Sequence, residues 1–410
     1  MQTHTLFFGC PRSFGFGSRF TPMLAAALLA GALGCREDTH SPTSPEIGPA
    51  PATGAVATAL AFRQVSTGGG NHSCGVTTDD RAYCWGGNGS GQLGDGSSVH
   101  RNRPTAVLGD LRFRHVNAGQ DHTCGITTEN RAYCWGFNGL GQLGEGTTEN
   151  RSTPVAVAGG RRFRQIRAGI VHTCAITELD VGFCWGAGGR LGDGTSAERH
   201  VPVRVLGGLK WRQLTGGHLH SCGITLDDRA YCWGSNGNGE LGDGTRATRL
   251  RPKAVAGGLA FREIDAGNAY TCGVAASDQA YCWGSGGLGQ LGDGTTASAR
   301  LHPRAVFGSR RFDLVNAGWN HTCGVTLAGR GFCWGHNNLG QLGDGTTANR
   351  SKPTALAVEL NLGQVGGGVE HTCAITRGGQ AYCWGHNNAG QLGDGTTADH
   401  LEPEPVAPPI

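Results

Sequence analysis

The chain has no long glycine-free stretch, no Gly-X-Y triplet register and little net charge. Each absence removes a class of protein. Glycine costs up to about 1 kcal/mol at an interior helix position, so long helices are excluded from most of the chain. The missing triplet excludes collagen. The formal charge of +3 falls to +1 once residues 1–34, whose only charged side chains are Arg12 and Arg19, are set aside. That leaves no strong field for nucleic acid or an anionic membrane surface. There is no Gly-x-Ser-x-Gly elbow, no phosphate-binding Gly-Lys-Ser/Thr and no His-Glu-x-x-His, so neither an enzyme class nor a cofactor is indicated. What is present is glycine, 73 of 410 residues, with 38 % apolar residues including nine Trp and fourteen Phe. That much apolar and aromatic content excludes a wholly disordered chain and predicts a folded body of short strands and turns.

The first residues read as an address. Two arginines without an acid precede the apolar run Met23-Leu-Ala-Ala-Ala-Leu-Leu-Ala-Gly-Ala-Leu-Gly34, which is too short to cross a bilayer and reads as a signal-peptide core over residues 1–34. Ala32-Leu33-Gly34-Cys35 resembles the lipobox of bacterial lipoproteins, which would make Cys35 the lipidated N-terminus. It departs from the preferred pattern at Ala32 and Leu33, so plain secretion or a merely apolar N-terminus stays open. Residues 35–57, rich in Pro, Ser, Thr and Ala, read as a flexible tether. On this reading the protein is exported, lipid-anchored at the cell envelope or secreted, and its remaining cysteines meet an oxidising compartment.

The remainder, residues 58–410, is one unit written seven times. Cys-Trp-Gly recurs at Cys84, Cys134, Cys184, Cys232, Cys282, Cys333 and Cys383, at spacings of 48 to 51 residues. The second repeat shows the pattern in full: Phe113-Arg-His-Val-Asn-Ala-Gly119, His122-Thr-Cys-Gly-Ile-Thr127, Arg131-Ala-Tyr-Cys-Trp-Gly136, Gly141-Gln-Leu-Gly-Glu-Gly146 and Pro154-Val-Ala-Val157. Four short β-like runs per repeat predict one antiparallel sheet each. The expected fold is therefore all-β, a seven-bladed β-propeller of four-stranded antiparallel blades. The first repeat opens at Phe62 without a preceding Pro-x-x-Val run, and the last ends just after Pro403-Glu-Pro-Val406. From this, closure by pairing the C-terminal strand with the first blade is expected, which would leave no open edge.

The repeated run His-Thr-Cys-Gly-Ile-Thr…Arg-Ala-Tyr-Cys-Trp-Gly-x-Asn-x-x-Gly-Gln-Leu-Gly-x-Gly resembles the regulator of chromosome condensation repeat, over about residues 60–407. The resemblance implies a seven-bladed propeller. For function it implies less, because propellers host unrelated activities. The family's eukaryotic founder exchanges guanine nucleotide on a small GTPase and docks on chromatin. Secreted bacterial members include inhibitors that cover the active site of a β-lactamase with a propeller face. The apparent export signal, the near-neutral charge and the cysteines all depart from the nuclear founder.

Fourteen of the sixteen cysteines fall into pairs ten residues apart: Cys74 with Cys84, Cys124 with Cys134, Cys174 with Cys184, Cys222 with Cys232, Cys272 with Cys282, Cys323 with Cys333, and Cys373 with Cys383. In a hairpin turning near Asp79 and Asp80, the first two would face each other, so a disulfide is expected in each blade. A zinc site using His72, Cys74 and Cys84 is the competing reading, weakened by Tyr270 in the histidine position of the fifth repeat and by the lack of a fourth ligand. Free core thiols are a third reading.

A group present in every blade serves what all blades share. On that logic the histidines at 72, 122, 172, 220, 321 and 371 make structural hydrogen bonds at a turn, the Cys-Trp-Gly tryptophans pack between blades, and the acids from Asp95 to Asp394 form turns. Function is sought where the repeats disagree. Just before the histidine position stand Gly70-Asn71, Gln120-Asp121, Ile170-Val171, His218-Leu219, Asn268-Ala269, Trp319-Asn320 and Val369-Glu370. With Tyr270 and the loops after Trp-Gly, at Asn88, Phe137, Asn236, His336 and His386, these positions predict a binding rim on one face. Trp319 and Phe137 are its expected exposed aromatic anchors. The expected function is a non-catalytic scaffold or binding propeller, monomeric, with a protein partner or surface glycan, no nucleic acid, and membrane contact only through a lipid anchor. Guanine-nucleotide exchange and inhibition of an extracellular enzyme are the alternatives the resemblance implies.

Overall fold

A computed structural model describes residues 60–409, so the expected signal peptide, Cys35 and the whole tether lie outside the described residues. The described chain is 28 strands in seven separate four-stranded antiparallel sheets, without a helix: a seven-bladed β-propeller. Blade 1 is typical. Phe62–Thr67 lies innermost, followed outward by His72–Thr77, Ala82–Gly86 and Arg101–Ala106. The second strand of every blade is buried on both faces, as its near-continuous apolar and small residues require. The outer strand is half exposed and carries the repeat's proline, Pro104 in blade 1, where an edge tolerates a missing N–H.

Ring closure differs from expectation. The C-terminal strand His400–Pro405 pairs with Ala381–Gly385 of its own sheet, not with the first blade, and every blade is continuous in sequence. The Pro-x-x-Val run is the fourth strand of the repeat that it ends, so the first repeat lacks nothing and the last has none to spare. The ring instead closes through side chains and loops. Phe62, Val65 and Trp85 share one buried cluster with Ile375, Leu392 and Val406. The Gln364 side-chain amide bridges the main chain of Val65, and Asn102 and Gly395 exchange hydrogen bonds.

Between blades, packing repeats a single device. The Trp of each Cys-Trp-Gly is fully buried against the preceding blade. Gly144 has φ of +71° and lies so near the Trp185 indole that an added Cβ would come within 2.5 Å of Nε1. Only glycine satisfies both the left-handed turn and the close approach there.

Candidate functional site at the mouth of the central channel

The features common to all blades are structural. Cys74 and Cys84 are directly opposed in the hairpin ladder and disulfide-bonded, and the same holds in all seven blades, with Cα atoms 4.0–4.1 Å apart. The pairing consumes the thiols that a zinc site would need. The six histidines are fully buried. Each Nε2 lies 2.7–3.0 Å from the hydroxyl of a Ser or Thr in the next blade, His72 on Thr123 and so on around to His371 on Ser73. That hydroxyl donates in turn to a main-chain carbonyl, Thr123 to Gln92 at 2.8 Å, so the histidine is the donor at Nε2, and its burial keeps it neutral. Burial holds His72 down at about 4 and His122, His220, His321 and His371 at about 3. The histidines therefore tie blade to blade rather than hold a turn. Tyr270 does the same work in blade 5: it is fully buried and its hydroxyl donates to the His321 carbonyl at 2.6 Å. It is not a rim residue.

The repeated acids are turn clamps. Asp95 accepts from the main chain and hydroxyl of Ser97 and from Arg101 Nε at 2.9 Å. Partial burial pushes its pKa up, but these bonds outweigh that and hold it below the usual carboxylate value.

Two sets of loops share one face, because the turn after the first strand and the long loop after the third lie at the same end of an antiparallel sheet. They are bonded together in every blade: the residue after Trp-Gly donates to the carbonyl of the residue before the histidine position, Phe137 to Asp121 at 2.7 Å, His336 to Asn320 at 2.9 Å and His386 to Glu370 at 2.8 Å. The expected rim thus divides in two. Asn71 and Leu219 are exposed, whereas Gln120, Asp121, Val171, Asn320, Glu370, His336, His386 and Phe137 are half-buried. Phe137 and Trp319 are not the protruding anchors expected. Asn88 and Asn236 are fully buried, one position further along the loop, where Asn88 accepts from Leu93 N and donates to the Val99 carbonyl.

Ile170, His218, Asn268 and Trp319 line the mouth of the central channel. They come from four consecutive blades. Trp319 reaches past blade 5 to stack on His218, ring centroids 5.0 Å apart and tilted by 32°. His218 Nδ1 lies 2.6 Å from Asn268 Oδ1. Ile170 extends over Gly69 of blade 1, where an added Cβ would come within 3.1 Å of it.

Mouth and channel together form an open cavity of about 300 Å³, lined below the mouth by the innermost strands. One position of those strands reads Ser66, Asn117, Arg167, Thr215, Asp265, Asn316 and Gly366 around the ring. The sequence reading passed over it, although its divergence is the same signal that marked the rim.

Residues 29–311 match the RCC1-like domain, and the regulator of chromosome condensation (RCC1) repeat matches at residues 328–375 and 378–410. The chain belongs to the RCC1-like domain family. No curated protein matches this family member by sequence. Among solved structures it is similar to Prp20p of Saccharomyces cerevisiae, described with its binding to Gsp1p and histones, at 20 % identity and TM-score 0.73 over 81 % of this chain and 87 % of that one. It is similar to human WBSCR16 at 22 % identity and TM-score 0.73, covering 80 % and 95 %. The ectodomain of the Physcomitrella patens receptor kinase CR4 is more distant, at 21 % identity and TM-score 0.53, covering 79 % and 74 %. At these identities the shared property is the propeller fold.

Proposed function

We propose that this RCC1-like propeller is a non-catalytic binding module, working outside the cytosol, that engages a protein partner through the face around the channel mouth. The observation that carries it is the contrast on that face. Each blade holds the same disulfide, tryptophan and turn clamp, while the seven residues at the mouth position are all different and place a Trp, a His, an Asn and an Ile together. Aromatic side chains in such a setting suit interface anchors. Seven disulfides support an oxidising compartment, and the N-terminal signal reading supports export, by lipid at Cys35 or by secretion. A monomer that covers an extracellular enzyme's active site is one form of this function.

Guanine-nucleotide exchange is the second reading, favoured by the likeness to Prp20p, whose partner is named as Gsp1p. The two separate by experiment. The mature protein captures a partner from envelope or extracellular fractions, and Trp319→Ala and His218→Ala, which open the aromatic stack at the mouth, each reduce that capture at least tenfold with the fold intact by circular dichroism. Undiminished capture by both variants would show that the face is wrong, and accelerated nucleotide release from a small GTPase would favour the second reading.

A further inference from the structure

The channel carries a second, separate feature. In the ring of seven equivalent positions, only Arg167 in blade 3 and Asp265 in blade 5 are charged, and they are opposite in sign. One level along the same strands, Glu263 adds a second carboxylate beside Asp265. Arg167 and the two carboxylates sense one another through the cavity without touching. The Nη1 of Arg167 is instead spent on His115 Nε2, 2.7 Å away.

Neither carboxylate is needed for packing. Gln64, Gln213 and Gln364 stand at the position of Glu263, and each uses its amide to accept from and donate to the main chain of the next blade. Glu263 accepts from Val315 N at 3.2 Å and has no proton to return when ionised. Asp265 accepts from Thr215, Asn316 and Ala317 N. Asn117 accepts from the equivalent main-chain N–H of the next blade with an amide. An amide would therefore serve the ring better than Glu263, and at Asp265 it would keep the main-chain contact. Burial, followed by the Asp265 charge, pushes Glu263 up to about 8, and burial raises Asp265 as well. Ionisable groups of opposite sign that share one cavity without pairing are costly to keep there, and their presence points to a ligand that pairs with both.

We infer that the channel binds a small zwitterion of the amino-acid class, its carboxylate on Arg167 and its ammonium on Asp265 and Glu263, beneath the Trp319–His218 stack. The cavity volume of about 300 Å³ admits a molecule of that size. This site uses different residues from the partner-binding face but opens onto it through the same channel.

The test is calorimetric titration of the mature protein with a ruler of zwitterions: glycine, β-alanine, γ-aminobutyrate and δ-aminovalerate. Acetate and methylammonium serve as separated halves. At least one zwitterion is expected to bind saturably and at least tenfold more tightly than either half. Arg167→Asn, Asp265→Asn and Glu263→Gln, each copying a side chain that another blade carries there, are expected to weaken it at least tenfold. Glu263→Gln is also expected to raise the unliganded melting temperature, which distinguishes a lost ligand contact from a damaged fold. Failure of every zwitterion on wild type, equal binding of acetate alone, or affinity kept within twofold in all three variants would each overturn the inference.

Discussion

The histidines decide how this protein responds to acid. Each is neutral and buried in the folded ring, with folded pKa values of about 3 to 4 where these are defined, against about 6.5 in an unfolded chain. Between those values the unfolded state binds protons that the folded state refuses. Stability is then fully present above pH 6.5 and is lost as pH falls from 6.5 towards 4. Each buried histidine contributes about 1.4 kcal/mol of loss per pH unit within that window. Urea midpoints measured from pH 8 to pH 4.5 should fall steeply below pH 6, where the histidines outweigh the opposite slope of Glu263, raised to about 8, and of Asp265, and where the turn-clamp carboxylates, held below their usual range, contribute little. A flat profile through pH 5 would contradict the neutral, buried assignment. That these residues were structural was legible from their recurrence alone. That they reach across to the next blade was not, because a repeat does not show which neighbour it touches.

At the scale of the strand and loop, the glycines separate into those with a packing duty and those without. Gly144 combines φ of +71° with contact to the buried Trp185 indole, whereas at Gly89 an added Cβ meets nothing within 4 Å. Gly144→Ala should destabilise by at least ~2 kcal/mol, combining backbone strain with displacement of a buried ring. Gly89→Ala should stay within about 0.5 kcal/mol. Thermal denaturation of the two variants checks the pair, and equal effects would show that the loop yields. Four strands per repeat and the disulfide pairing were readable because a hairpin places residues ten apart opposite each other by local geometry. The distinction between Phe137 and Asn88, adjacent loop positions with different fates, was not: Asn88 turns inward to satisfy its own loop's main chain.

For the whole molecule, the closing seam is a blade interface like the other six, with one bond fewer. Six indoles donate to a carbonyl of the preceding blade, as Trp135 does to Gln92 at 2.9 Å, but Trp85 at the seam has no such partner. Because no strand crosses the seam, the ends can be joined and the chain opened elsewhere. A circular permutant linking Val406 to Phe62 with the spacing found between Val157 and Phe163, and opened between Gly109 and Asp110, should fold with unchanged circular dichroism and a melting temperature within a few degrees of wild type. A permutant that fails to fold would show that the seam has a role the other interfaces lack.

The sequence by itself determined the number of blades, the strands within each, the disulfide pairs and the turn acids, because all of these are set by contacts within one repeat of about fifty residues and written again in the next. Tertiary structure alone decided how the ring closes, that Trp319 meets His218, and that Arg167 faces Asp265 and Glu263 across one cavity. Those residues belong to different blades, and only the curvature of seven packed sheets brings their side chains to a common axis.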